Sequence, residues 1–158
     1  MDASAVAPPP LLDMLHRWAP VVWLRTDPYA YPSLEIIHLL GMGLVFGTLW
    51  VIDLAIFGKL RFVDPNLLAG KVLPWTLAGF LLAAVSGMAM FLSAVGDLIS
   101  NTAFVAKMGL LCAAGTNAAV LHARGPIDPD HAATRWQAAI SVLLWVGVIA
   151  CGRWIGYL

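Results

Sequence analysis

The sequence predicts an all-α integral membrane protein, built as a four-transmembrane-helix up-down bundle with an N-terminal amphipathic interfacial helix. Its 158 residues are 61% hydrophobic and only 11% charged, and this charged fraction is about half that of an average soluble domain. Four apolar stretches are each long enough to cross a bilayer as a helix, which takes ~20 residues. Short connections between them place neighbouring helices antiparallel, as in an up-down bundle.

The predicted spans cover residues 35–57, 72–95, 102–121 and 136–158. Turn-forming residues separate them, namely Asp64-Pro65-Asn66, then Gly96-Asp97, then Gly125-Pro126 with Asp128-Pro129-Asp130. The chain is therefore divided into an N-terminal tail, residues 1–33, and a transmembrane domain, residues 34–158. In the tail, residues 10–24 mix Leu, Val and Trp with Asp, His and Arg, a pattern typical of a helix in the interface plane.

Basic residues predict the orientation. Five lie in or beside the first and third connections and three near the opposite face, namely Lys59, Arg61, Lys71, Arg124 and Arg135 against Arg17, Arg25 and Arg153. The positive-inside rule then places these two connections in the cytoplasm and both termini in the periplasm of a bacterial inner membrane. A formal net charge of zero offers no basic surface for nucleic acid, so the lipid bilayer is the predicted partner.

Polar residues within the apolar spans are the candidates for function, because charged groups inside a membrane are costly and are usually functional. Antiparallel helices gather them into an outer and an inner set. The outer set is His38, Met88, Met90, Asn101, Lys107, Arg153, Trp154 and Tyr157. The inner set is Asp53, Trp75, Asn117, His122, Arg124 and Arg135.

His38, in the outer set, is the candidate axial ligand for a b-type haem, since porphyrins bind between the helices of membrane bundles. Gly41 and Gly47 on the same helix are expected to leave room for the macrocycle. Alternatively, His38 binds a backbone group or Glu35 and holds no cofactor.

Other outer residues complete this hypothesis. Lys107 and Arg153 are expected to pair with the haem propionates. Met88 or Met90 would supply the sixth ligand, and Lys107 is a less usual option for that position.

The inner set suggests a second haem or metal, with His122 as ligand and Asp53 orienting it. Alternatively, Asp53 forms an interfacial ion pair with Arg124 or Arg135. With two haems the protein would conduct electrons across the membrane, between a quinone and a periplasmic acceptor. As an enzyme it would be a membrane oxidoreductase.

Two further hypotheses compete with haem. Copper transport or handling is favoured by soft or borderline donors, namely His38, Met42, Met88, Met90, Met108 and Cys112. A cofactor-free structural subunit of a larger redox or light-harvesting complex, or a homo-oligomer, would suit the seven Trp residues. No nucleophile–base pair or phosphate loop is apparent, so no catalytic residue is assigned.

Several strings between residues 31 and 157 resemble a family of small bacterial membrane proteins described as a domain of unknown function. They are Tyr31-Pro32, Glu35, His38-Leu39-Leu40-Gly41, Leu73-Pro74-Trp75, Asn101, Phe104, Lys107, Asn117, His122 and Gly152-Arg153-Trp154-Ile155. That resemblance implies four transmembrane helices and no activity.

Two more distant resemblances bear on chemistry. The third span is similar to that of copper-resistance D-type membrane domains, with Lys107 near its start and Asn117 near its end. His38 and Lys107 also match a histidine and a lysine of the small four-helix protoporphyrinogen oxidases. In those enzymes the histidine is associated with haem, so the resemblance favours haem at His38.

Overall fold

The computed structural model describes residues 10–60 and 62–158, and that part of the chain is all-α, without a strand. The helices are α1 (Pro10–Arg17), α2 (Ala19–Thr26), α3 (Ala30–Ile56), α4 (Pro65–Ser93), α5 (Val95–Ser100), α6 (Thr102–Ala123) and α7 (Ala132–Trp154). Four of them, α3, α4, α6 and α7, are long and apolar enough to cross a membrane. The predicted all-α fold with four membrane-spanning helices is confirmed, and the protein is a multi-pass membrane protein.

The long helices pack as antiparallel pairs. Contacts run in opposite directions along each pair: His38 with Ala83 and Thr48 with Thr76, then Asn101 with Ile155 and Asn117 with Gln137. The start of α3, the end of α7 and the helix α5 therefore lie at one end of the bundle, here named the terminal end. The connections 57–64 and 124–131 lie at the other, here named the loop end.

The N-terminal amphipathic segment differs from its prediction as one helix over residues 10–24. α1 ends at Arg17 and α2 begins at Ala19, with extended backbone at Trp18 (φ −68°, ψ 125°). Pro20 explains the break, because proline lacks the N–H that a continuous helix would need there. Residues 1–9 of the predicted tail, and Arg61 of the first connection, lie outside the described residues.

α4 begins before its predicted span, 72–95, because the Asp64-Pro65 pair starts a helix instead of separating two. The Asp64 carboxylate accepts a hydrogen bond from the Asn66 backbone N–H at 2.9 Å, as an N-cap does. Pro65 then occupies the first turn, where its missing N–H has no intrahelical acceptor to lose. The turn predicted at Gly96-Asp97 likewise lies within the short helix α5.

α3 is the central helix of the bundle. A third of its most apolar window, 33%, is buried, against 17%, 11% and 17% in α4, α6 and α7. α3 packs along α4 and also meets α7, while α6 packs along α7. The two helix pairs are therefore joined chiefly where α3 meets α7.

A hydrophobic core lies at the loop end. It consists of Ile52, Ile56, Ala69, Ile127 and Ala138. At the terminal end α4 and α6 meet instead through stacked aromatic rings, those of Phe91 and Phe104, whose centroids are 5.4 Å apart. The hydrophobic core therefore lies at the loop end of the bundle, away from His38 and Lys107.

Asn66 fastens the third connection to the start of α4. Its Nδ2 donates to the Ile127 carbonyl at 2.9 Å, and its Oδ1 accepts from the Ile127 N–H at 2.6 Å. Ile127 is only 7% exposed, so truncation leaves buried backbone groups unpaired. We expect Asn66→Ala to lower the free energy of unfolding in detergent by about 1–3 kcal/mol. Asn66→Asp, which keeps the acceptor, should lose less, and equal stability of Asn66→Ala and wild type would contradict this role.

Candidate cofactor site at the terminal end

His38 lies early in α3 with its imidazole against α4. Nδ1 is 2.8 Å from the Ala83 carbonyl oxygen and 3.3 Å from Ser86 Oγ. Because a carbonyl oxygen can only accept, Nδ1 carries the proton and donates it to Ala83. In the neutral ring, Nε2 then keeps its lone pair, and a neutral imidazole is the form that binds metals.

Two small residues of α4 accommodate this ring. A Cβ built at Gly87 would lie 2.9 Å from His38 Cε1 and 3.2 Å from Nδ1, so any side chain there would displace the imidazole. Ser86 is 2% exposed, and its hydroxyl donates to the Leu82 carbonyl at 2.7 Å. Of the two alternative partners predicted for His38, the structure has the backbone group and not Glu35. The α4 backbone therefore sets the position and tautomer of the ring.

Lys107 lies early in α6, where its side chain packs against Gly152 of α7. A Cβ at Gly152 would be 3.4 Å from Nζ and 3.7 Å from Cε, so the lysine side chain lies directly over this glycine at ordinary contact distance. The ammonium lies within electrostatic range of the His38 imidazole and of Cys151. Both His38 and Lys107 are partly exposed. These two residues, predicted to share a layer, lie at the same end of the bundle and remain accessible.

Arg153, also in the predicted outer set, is exposed and is held by the last turn of the chain. Its NH2 donates to the Tyr157 hydroxyl at 2.6 Å, and its guanidinium lies 4.9 Å above the centre of the Tyr157 ring. Both contacts are local, four residues apart in sequence. Arg153 thus contributes positive charge at the terminal end from the surface.

The two methionines lie on different faces of α4. Met90 follows Ser86 by one helical turn, so it shares the face that meets His38. Met88 is 57% exposed and lines an apolar groove of about 460 Å³ between α2 and α4, together with Trp18 and Val21. Of the two candidate sixth ligands, only Met90 lies on the His38 side.

The prediction that Gly41 leaves room for the haem macrocycle is wrong. A Cβ there would lie 2.7 Å from the Ala83 nitrogen and 2.8 Å from the Gly79 oxygen. The backbones of α3 and α4 are thus in direct contact, as small residues allow in membrane helices. A Cβ at Gly47 would meet no atom within 4 Å, and Gly47 lines an open apolar cavity of about 280 Å³ that does not include His38. The room for a cofactor therefore does not lie along Gly41.

The residues of the inner set do not share one environment, because Asp53 is buried whereas Arg124 and His122 are exposed. Asp53 is 6% exposed and faces the Ser141 hydroxyl of α7. Arg124 NH1 donates to Gln137 Oε1 at 2.9 Å, while His122 is exposed in the last turn of α6. Among the described residues, the side chain that faces Asp53 is thus Ser141 and not His122, Arg124 or Arg135. Sequence reasoning missed Ser141 and Gln137 altogether.

Within the described residues, no three His, Cys, Asp or Glu side chains are grouped closely enough to hold a metal ion. Both cysteines are free, Cys112 being exposed and Cys151 partly buried. What the terminal end offers is the imidazole of His38, with Nδ1 bound to Ala83, and the ammonium of Lys107 within electrostatic range of it. Such a set suits an axial ligand of a prosthetic group better than a metal centre made from protein side chains alone.

No curated protein and no solved structure matches the chain, and these comparisons do not show the distant resemblances to copper-resistance D-type domains and protoporphyrinogen oxidases. The model of a family of unknown function, DUF6644, matches residues 29–158. That range contains all four membrane-spanning helices and both His38 and Lys107. The chain therefore belongs to the family of unknown function DUF6644.

Proposed function

We propose that the protein is an integral membrane b-type haem protein with an electron-transfer role near the periplasmic face of the bacterial inner membrane. His38 Nε2 is the axial ligand. The observation that supports the proposal is the hydrogen bond from His38 Nδ1 to the Ala83 carbonyl, 2.8 Å long, taken together with Lys107 at the same end of the bundle, because the hydrogen bond alone is also what a histidine without a cofactor would make. Metal-binding histidines characteristically donate their other N–H to a backbone carbonyl or a carboxylate, which fixes the tautomer and orients the ring.

Lys107 is the proposed propionate partner. An ammonium inside a membrane helix is costly unless it finds an anion or reaches the interface. Among the described residues, Lys107 packs against Gly152 and has the free thiol of Cys151 near it, and neither of these is a carboxylate. A haem bound through His38 would bring carboxylates to this end of the bundle and would supply one-electron redox chemistry. Arg153, exposed at the same end, is the second candidate partner.

One haem is favoured over two. The second haem required Asp53 to orient His122, but Asp53 faces Ser141 and His122 is exposed. For the sixth position Met90 is favoured over Met88, since it lies on the α4 face that meets His38.

The excess of basic residues at the loop end supports a cytoplasmic loop end and periplasmic termini. The haem would then lie toward the periplasm. Quinol in the bilayer is the proposed electron donor and a periplasmic protein or small molecule the acceptor. If turnover accompanies this transfer, the protein is a membrane oxidoreductase.

Copper handling is less well supported, because its donors are dispersed. Met88 and Met90 face different sides of α4, and Cys112 is exposed on α6. A cofactor-free subunit of a larger complex remains the third hypothesis, and the same experiment distinguishes all three.

The test is a visible spectrum of the full chain purified in detergent. We expect a Soret band, and an α-band in the reduced-minus-oxidised difference, with iron and porphyrin in equal amounts. Copper without porphyrin would support the transport hypothesis, and a colourless, metal-free protein the structural one. Either result would overturn the haem proposal.

A further inference from the structure

Asp53 is a carboxyl group buried where the two helix pairs meet. It lies in the last turn of α3 and is 6% exposed. Two residues close to it on α3, Ile52 and Ile56, belong to the hydrophobic core of the loop end, to which α7 contributes Ala138. The carboxyl is therefore in an apolar environment, at the joint between α3 and α7.

Polar side chains of α7 and of the third connection lie between this carboxyl and the surface of the loop end. Ser141 faces Asp53 from α7. Gln137 precedes Ser141 by one helical turn, so the two share a face, and it is 8% exposed. Its side-chain oxygen accepts from Arg124 NH1 at 2.9 Å, and its backbone oxygen accepts from Asn117 Nδ2 at 3.1 Å. Arg124 itself is exposed, so the last of these side chains reaches water.

Three physical effects disfavour a charged carboxylate at Asp53. Burial removes it from water, and ionised groups are strongly destabilised by low-dielectric surroundings. The C-terminal end of a helix carries partial negative charge, which repels an anion in the last turn. Among the described residues, the side chain that faces Asp53 is the neutral Ser141 hydroxyl and not a basic group. Lys71 of α4 and Arg135 of α7 are exposed, and Arg124, in the third connection, donates to Gln137.

From this arrangement we propose that Asp53 is a proton-binding site that exchanges with water at the loop end through Ser141 and Gln137. Uptake forms an O–H bond between the carboxylate and a proton donated by a water-borne acid, and release breaks the same bond. The Ser141 hydroxyl is the hydrogen-bonding partner nearest to the neutral acid among the described residues. This site lies where α3 packs against α7, and the proposal does not depend on haem at His38.

Infrared spectroscopy of the full chain in lipid nanodiscs tests the protonation directly. We expect a carboxylic-acid C=O stretch at neutral pH that moves in D2O, because its proton exchanges. Asp53→Asn should remove the band, and Asp97→Asn, which changes an exposed carboxyl in α5, should leave it. Ser141→Ala should move the band to higher frequency by removing its hydrogen bond. A wild-type spectrum without this band, or a band that persists in Asp53→Asn, would overturn the proposal.

Two further variants test the electrostatic environment of Asp53 and the route by which its proton exchanges with water. Arg61→Gln should leave the band unchanged. Appearance of the band only in that variant would mean that wild-type Asp53 is an ion-paired carboxylate, and the proposal would fail. Gln137→Leu should slow the exchange of the band in D2O several-fold. An unchanged exchange rate would overturn the route through Gln137.

Discussion

Replacing His38 with alanine is expected to abolish haem binding, whereas replacing His122 leaves it intact. His38 has the Nδ1 donation to Ala83 that leaves Nε2 free, while His122 is exposed at the loop end. Among the described residues, His38 is the histidine whose side chain is hydrogen-bonded to α4. The measurement is the haem-to-protein ratio of each purified variant, from its reduced-minus-oxidised spectrum.

Ser86→Ala is the control variant for this prediction, because it should weaken haem binding without abolishing it. It removes the weaker contact to Nδ1, at 3.3 Å, and keeps the Ala83 carbonyl. Loss of such supporting groups typically weakens metal binding by about 10- to 100-fold, and the lower part of that range is expected here. Haem retained at the wild-type ratio in His38→Ala would exclude His38 as the ligand.

Gly41→Ala is expected to destabilise the protein, whereas Gly43→Ala, one half-turn further along the same helix, is not. A Cβ at Gly41 would lie 2.7 Å from the Ala83 nitrogen and 2.8 Å from the Gly79 oxygen. Both are backbone atoms, which cannot turn aside as a flexible side chain would, so α3 and α4 must separate. Overpacking of this kind costs about 1–3 kcal/mol.

Gly43 is the matched control because a Cβ there would meet no atom within 4 Å. Its replacement should be neutral or slightly stabilising, since alanine is the better helix former. The comparison is made by reversible unfolding in detergent, with helix content followed by circular dichroism. Equal stability of the two variants would contradict the close contact of α3 with α4.

The spans were predictable from sequence because hydropathy over about 20 residues reflects the one constraint that the membrane imposes on a helix. The start of α4 was not, because Asp64-Pro65 serves equally as a turn and as an N-cap followed by a first-turn proline. Only the structure shows that the Asp64 carboxylate accepts from the Asn66 N–H.

That His38 and Lys107 lie at the same end of the bundle was predictable from their positions in antiparallel spans. The hydrogen bond that defines the histidine was not, because its acceptor is the backbone of Ala83 and a backbone carbonyl leaves no signal in sequence. The prediction at Gly41 failed for a related reason: a glycine that admits a flat ligand and one that admits a neighbouring backbone look alike in sequence.

The polar neighbour of Asp53 could have been predicted from the sequence of the fourth span. Gln137 and Ser141 are polar residues four apart in an apolar span, so they share one face of α7. Polar groups on one face of a membrane helix usually point into the protein. That pattern could have indicated a buried polar partner for Asp53 in preference to His122.

Whether a histidine nitrogen binds the haem iron is the question that decides the proposed function most directly. It can be answered by pulsed electron paramagnetic resonance of the oxidised wild-type protein labelled with ¹⁵N-histidine, with His122→Ala as the companion sample. Coordination by His38 predicts a ¹⁵N coupling to the iron in both samples. Haem without such a coupling, or a coupling that disappears in His122→Ala, would contradict it.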